Sequence, residues 1–178
     1  MAIRRKMIRG LIEELLEANG VIRPPVPVEE IAHSCGLEVR KQTVQNSDIS
    51  GFILRSGKDA IIGVNSLHPD VRQRFTVAHE LGHFLIHAQG VDEVHVDRVF
   101  SVQFRNTLSS EGTDRDEREA NFFAAELLIP KRFVEARLAD AVRMDLVDDS
   151  FIEQLAREFD VSTQAMVFRL ANLGFIRL

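Results

Sequence analysis

Between Phe75 and His87 the chain carries an H-E-x-x-H motif, His79-Glu80-Leu81-Gly82-His83, inside an apolar run. Val77, Ala78, Leu81, Phe84, Leu85 and Ile86 give that run the character of a buried helix. Two imidazoles four residues apart sit on one face of such a helix and can grip one metal ion. The Glu80 carboxylate between them projects near the same ion and can take a proton from water. Gly82 is a poor helix former, so its place in the run predicts close approach of another backbone. The plain alternative is a core helix with partly buried histidines and no metal.

The rest of the chain bounds this reading. At 178 residues it is one domain, or one domain with a small extension. A hydrophobic fraction of 45% allows a real core, and a net charge of −5 argues against a general nucleic-acid binder. Cys35 is the single cysteine, so no intrachain disulfide can form and a reducing cytoplasm is the expected location. Glu13, Glu14 and Glu17 break any apolar signal-like run after the basic start, and no segment approaches the roughly 18 apolar residues a spanning helix needs. The chain has no tyrosine, so none is available to stabilise an oxyanion.

Periodicity predicts a helix through Ile8, Leu11, Ile12, Leu15 and Leu16, ended by Asn19-Gly20. A proline-rich connector follows, then a short helix from Val28 to Ser34 with Gly36 as its stop. Strands are expected at Leu37 to Val44, Ser50 to Leu54 and Ala60 to Asn65, and valine spacing allows another around 99–105. Thr113 offers an N-cap, and Asp114, Asp116 and Glu117 crowd a first turn where the helix dipole favours acids. That helix runs to Ile129 and stops at Pro130. Three more are expected over Arg132 to Met144, Phe151 to Phe159 (opened by Asp149/Ser150) and Thr163 to Leu173, the last capped by Ser162. The expected class is α+β: a small antiparallel sheet packed on the motif helix and a second ligand-bearing helix. Residues 1–130 would form the main domain, and residues 131–178 a helical C-terminal lobe.

A catalytic zinc usually takes three protein ligands and keeps one position open. His79 and His83 are two. His87 is one turn further on, and three ligands on one straight helix span about 12 Å, too far for bonds near 2 Å. His87 is therefore expected to support a ligand, fill the core or line the cleft. Ile86 and Gln89 fall where the glycine and third histidine of an H-x-x-G-x-x-H extension would stand. The acidic helix start is the better source. Glu117 and Asn121 are four apart and share a face. Glu117 can bind the metal while the Asn121 amide oxygen accepts an N–H from a ligand histidine and fixes its tautomer. On spacing alone Glu117 can equally be a surface acid favoured by the dipole. Glu119 lies about 160° round the helix from Asn121 and is expected to face solvent.

The stretch from Arg72 to His83, followed by Glu117-Arg118-Glu119-Ala120-Asn121-Phe122-Phe123-Ala124-Ala125-Glu126-Leu127-Leu128-Ile129-Pro130, closely resembles the ImmA/IrrE family of metallopeptidases. Val26 to Ala32, Cys35 to Leu37 and Ile61 to Asn65 look like that family's flanking segments, so the likeness spans roughly residues 26–130. It implies Glu117 as third ligand and a zinc-dependent peptidase with Glu80 as general base. Manganese or iron can also occupy an open site of this kind. His87, His95 and Arg105 are candidates for the oxyanion donor. The family's regulators cleave Xre-type helix-turn-helix repressors in stress responses or mobile elements, so such a repressor is the implied partner.

Residues 155–170 read as helix, turn, helix, a pattern that also occurs in DNA readers. Residues 150–178 carry Arg157, Arg169 and Arg177 against Glu153, Glu158 and Asp160, too little positive charge for that role. A structural or substrate-docking lobe is the preferred reading. The alternative from another class is a metal-containing protein- or DNA-binding regulator with little turnover.

Overall fold

A computed structural model describes residues 3–56, 59–87, 94–98, 113–143 and 148–177. Seven helices and four strands lie among the described residues. The N-terminal helix α1 (Arg5–Ala18) buries Ile8, Ile12 and Leu16, a stripe at four-residue spacing, and Asn19 caps its end. Helix α2 (Val28–Ser34) buries Val28, Ile31 and Ala32. Gly36 follows with φ +85°, a left-handed turn into strand β1 (Leu37–Gln42). Cys35 beside it is half-buried against the core, and burial pushes its thiol pKa up.

Strands β2 (Ile49–Ser56) and β3 (Asp59–Asn65) form an antiparallel hairpin. Strand β4 (Val94–Arg98) pairs antiparallel with the far side of β2. The sheet order is β1-β3-β2-β4, and β1 runs parallel to β3. The sheet is therefore mixed rather than purely antiparallel. The hairpin folds its second strand, not its first, against β1, and that reverses the direction of the pairing. The strand allowed around 99–105 lies outside the described residues.

The sheet carries the motif helix α3 (Asp70–Ile86) on one face. Gly51 on β2 makes this approach possible. A Cβ there would overlap Thr76 Cγ2 and sit 2.7 Å from the Gly63 carbonyl oxygen. Buried Asn65 ties the end of β3 to the loops on either side. Its amide donates to the carbonyls of Val44 and Ile49, and its oxygen accepts from the Val44 and Leu67 backbone. Gln73 donates to the His68 carbonyl at 2.7 Å and fixes the first turn of α3.

Helix α4 (Thr113–Leu128) packs along α3 and ends before Pro130. The capping expected of Thr113 falls outside the described side chains. A Cβ on Gly82 would meet Phe123 of α4 at 3.0–3.2 Å. Gly82 thus admits a buried aromatic side chain, not the backbone expected from the sequence. Helices α5 (Lys131–Arg143), α6 (Asp149–Phe159) and α7 (Thr163–Leu173) complete the chain. Asp148, one residue before the expected cap, accepts from the Phe151 backbone at 2.9 Å; Ser162 caps α7 as expected.

Leu155, Phe159, Met166 and Leu170 belong to the same continuous core as α1, α3 and α4. Arg169, 4% exposed, forks onto both Glu126 oxygens at 2.9 and 2.7 Å and onto the Ile129 carbonyl at 2.9 Å. Arg74 of α3 binds the Asp160 and Val26 carbonyls from the other side. Among the described residues no helix is long and apolar enough to cross a membrane.

Candidate metal centre

Helix periodicity puts His79 and His83 one turn apart on α3, and their Nε2 atoms approach to 2.8 Å. Glu117 enters from the first turns of α4. Its Oε2 lies 3.3 Å from His79 Nε2 and its Oε1 3.3 Å from His83 Nε2. Both imidazoles are buried to within 1% of full burial, whereas the Glu117 side chain is 36% exposed. The three donors thus converge at the foot of the α3–α4 seam, open on the carboxylate side. Glu80, between the histidines in sequence, is fully buried on α3.

The donor set can be tested against a metal's geometry. Tetrahedral bonds of about 2.0–2.2 Å separate neighbouring ligand atoms by about 3.3–3.6 Å. Both histidine–carboxylate edges match that spacing, and the 2.8 Å His–His edge needs only a small ring rotation to reach it. Two neutral imidazoles and one carboxylate are a zinc-type ligand set. The residues fit a metal.

The remaining sequence candidates fall differently. His87, at the C-terminal end of α3, has its Nδ1 3.2 Å from His83 Nδ1. Its Nε2 faces two carboxylates, Glu119 at 3.3 Å and Asp116 at 3.5 Å. Burial pushes the His87 pKa below its ordinary value, against the pull of the two carboxylates. Both its nitrogens are engaged, which leaves it poorly placed to donate to an oxyanion. The His95 side chain and Arg105 lie outside the described residues. Asn121 is half-buried on α4, and among the described residues no hydrogen bond joins it to either ligand-type histidine. The ring that contacts His83 from behind is that of His87.

Glu119 corrects the sequence reading. It is fully buried, not solvated. The backbone N–H of Arg4 donates to Oε1 at 2.9 Å, the Arg4 guanidinium reaches Oε2 at 2.6 Å, and Arg115 adds contacts at 3.3 Å. A helical wheel of α4 has one face for α3 and treats the opposite face as solvent. Helix α1 covers that second face and brings Arg4 with it. The Arg4 hydrogen bonds hold the Glu119 carboxyl at about 2, below its usual 4.5.

With the geometry in place, comparison with known proteins decides the family. Residues 32–171 match the peptidase M78 family, described as the IrrE N-terminal-like domain. The chain belongs to that family. The resemblance of its motifs to the ImmA/IrrE metallopeptidases is thereby borne out. No curated protein matches the sequence. A transcriptional regulator of Mycobacterium tuberculosis has a similar structure, with a TM-score of 0.61 and 15% identity over 93% of this chain. The chain spans 46% of that regulator, and at such identity the likeness shows the fold alone.

Proposed function

We propose that this M78-family chain is a zinc-dependent endopeptidase that cuts one protein substrate, an Xre-type helix-turn-helix repressor. The observation that carries the reading is the convergence of His79, His83 and Glu117 beside Glu80 on the H-E-x-x-H helix. Those three residues would hold the ion, with manganese or iron as alternatives to zinc. When bound, zinc supplies Lewis-acid polarisation of a peptide carbonyl and of the attacking water. Glu80 then accepts a proton from that water on a carboxylate oxygen and delivers it to the leaving amine. Burial of Glu80 supports this role by keeping its carboxylate out of bulk water.

Residues 131–178 are read as a lobe that supports the site or docks the substrate. The burial of Arg169 against Glu126 favours this over DNA binding, since it removes one of three cations from the surface of residues 150–178. A repressor substrate would place the reaction in the cytoplasm.

The test is incubation of the zinc-loaded chain, and of its Glu80→Gln variant, with the helix-turn-helix repressor encoded nearest its gene. Intact mass reports the products. One discrete cut by the wild type, with none by a Glu80→Gln protein that still binds metal, is expected. Equal cleavage by both proteins would refute the general-base role, and no cleavage by either would favour a binding regulator with a structural metal.

A further inference from the structure

The His87, Asp116 and Glu119 side chains bring three possible ligand atoms together behind the first site. A second metal does not fit there, because the Arg4 and Arg115 guanidinium groups already neutralise Glu119. The same atoms form a directed chain of hydrogen bonds instead. Arg4 donates to Glu119, Glu119 faces His87 Nε2, and His87 Nδ1 faces His83 Nδ1.

The proton positions follow from donor and acceptor chemistry. Arginine only donates, and an ionised carboxylate only accepts. Among the described residues His87 Nε2 faces the carboxylate oxygens of Glu119 and Asp116, so it carries the hydrogen. A metal held with His79 and Glu117 would take His83 through Nε2, which leaves the His83 hydrogen on Nδ1 with His87 Nδ1 as its acceptor. His83 Nε2 is the nitrogen turned toward His79 and Glu117, where the ligand atom has to be. The opposite tautomer of His83 would place a hydrogen where a cation has to bind.

Building on the metal reading above, we propose that Glu119 and Arg4 are positioning residues. Through His87 they set the His83 tautomer that binds metal. The residue that caps the start of helix α1 thereby supports the metal centre without supplying a ligand.

The test uses the full chain and two readouts. Nitrogen-15 shifts of the imidazoles in the metal-free protein report the tautomers, and competition with a chromophoric chelator reports zinc affinity. Wild type is expected to show His83 as the Nδ1–H form and His87 as the Nε2–H form. Glu119→Ala is expected to lose that His83 tautomer and to bind zinc about 10–100-fold more weakly. Since Glu119→Ala also breaks the Arg4 ion pair and can disturb folding, His87→Leu removes the relay with that pair intact and should show the same loss. His87→Gln keeps one acceptor and one donor on an amide of similar reach, and is expected to recover most of the affinity. A packing role alone would leave Gln no better than Leu. Unchanged zinc affinity in folded His87→Leu, or an Nε2–H His83 in wild type, would overturn the proposal while leaving the three-ligand site standing. A wild-type chain that binds no zinc would overturn both.

Discussion

Gly82 stands between the two ligand-type histidines, and its replacement by alanine separates packing from propensity. In an exposed helix interior Gly→Ala stabilises by about 1 kcal/mol. Gly10 on α1 is such a site, with nothing within 4 Å of a built Cβ. At Gly82 the new methyl would lie 3.0 Å from Phe123 Cδ1 and 3.2 Å from its Cβ and Cγ. Phe123 is fully buried, so its ring cannot swing out into solvent. Two of the three atoms are close to the α4 backbone, so relief requires α4 itself to move by a few tenths of an ångström. Overpacking of this kind costs about 1–3 kcal/mol, which exceeds the propensity gain of about 1 kcal/mol. Gly82→Ala should therefore destabilise by about 1 kcal/mol while Gly10→Ala stabilises by a similar amount. The shift of α4 also carries Glu117 away from the histidines, so zinc affinity should fall in Gly82→Ala and hold in Gly10→Ala. Urea unfolding of the metal-free proteins, read as midpoints at constant slope, gives the two signs. A Gly82→Ala chain more stable than wild type would refute the close-packing argument.

The buried Arg169–Glu126 pair should matter far more than its exposed neighbour. Glu126→Gln leaves a guanidinium at 4% exposure without its counter-charge and should cost about 3 kcal/mol or more by urea unfolding. Arg9→Ala, which removes a half-exposed partner of the same carboxylate, should cost under about 1 kcal/mol. Acid should weaken the metal-free fold through Glu119, which faces Arg4, Arg115, His87 and Asp116. Its carboxyl is held at about 2 against 4.5 unfolded, so the contribution is complete above pH 4.5 and disappears as pH falls toward 2. The Arg4 side chain is 41% exposed and so open to solvent screening, and about 1–2 kcal/mol is expected. A Glu119→Gln variant whose stability falls as steeply as wild type over that window would show that the carboxylate contributes nothing there.

Local signals were legible in the residues. The i, i+4 spacing of His79 and His83 and the apolar flanks place the motif helix, and Ser162 marks the start of α7. Glu117 was ambiguous by spacing and was singled out by resemblance; the fold brings it to both imidazoles. What could not be read was pairing between distant segments. Nothing in Leu37–Gln42 tells which hairpin strand it meets, so the sequence predicts an antiparallel sheet where the fold sets β1 parallel to β3. A helical wheel points Glu119 to solvent because it shows one face of α4 and not the second partner that covers the other. Phe123 beside Gly82 is the same kind of long-range fact.

The most direct test of the metal centre is X-ray absorption on the zinc-loaded wild-type chain at one zinc per chain. Two imidazole nitrogens and oxygen donors at about 2.0–2.2 Å, with no sulfur, are predicted for His79, His83 and Glu117. A single imidazole would place the ion at His87, Asp116 and Glu119 instead, and a sulfur donor near 2.3 Å would implicate Cys35; either would contradict the account.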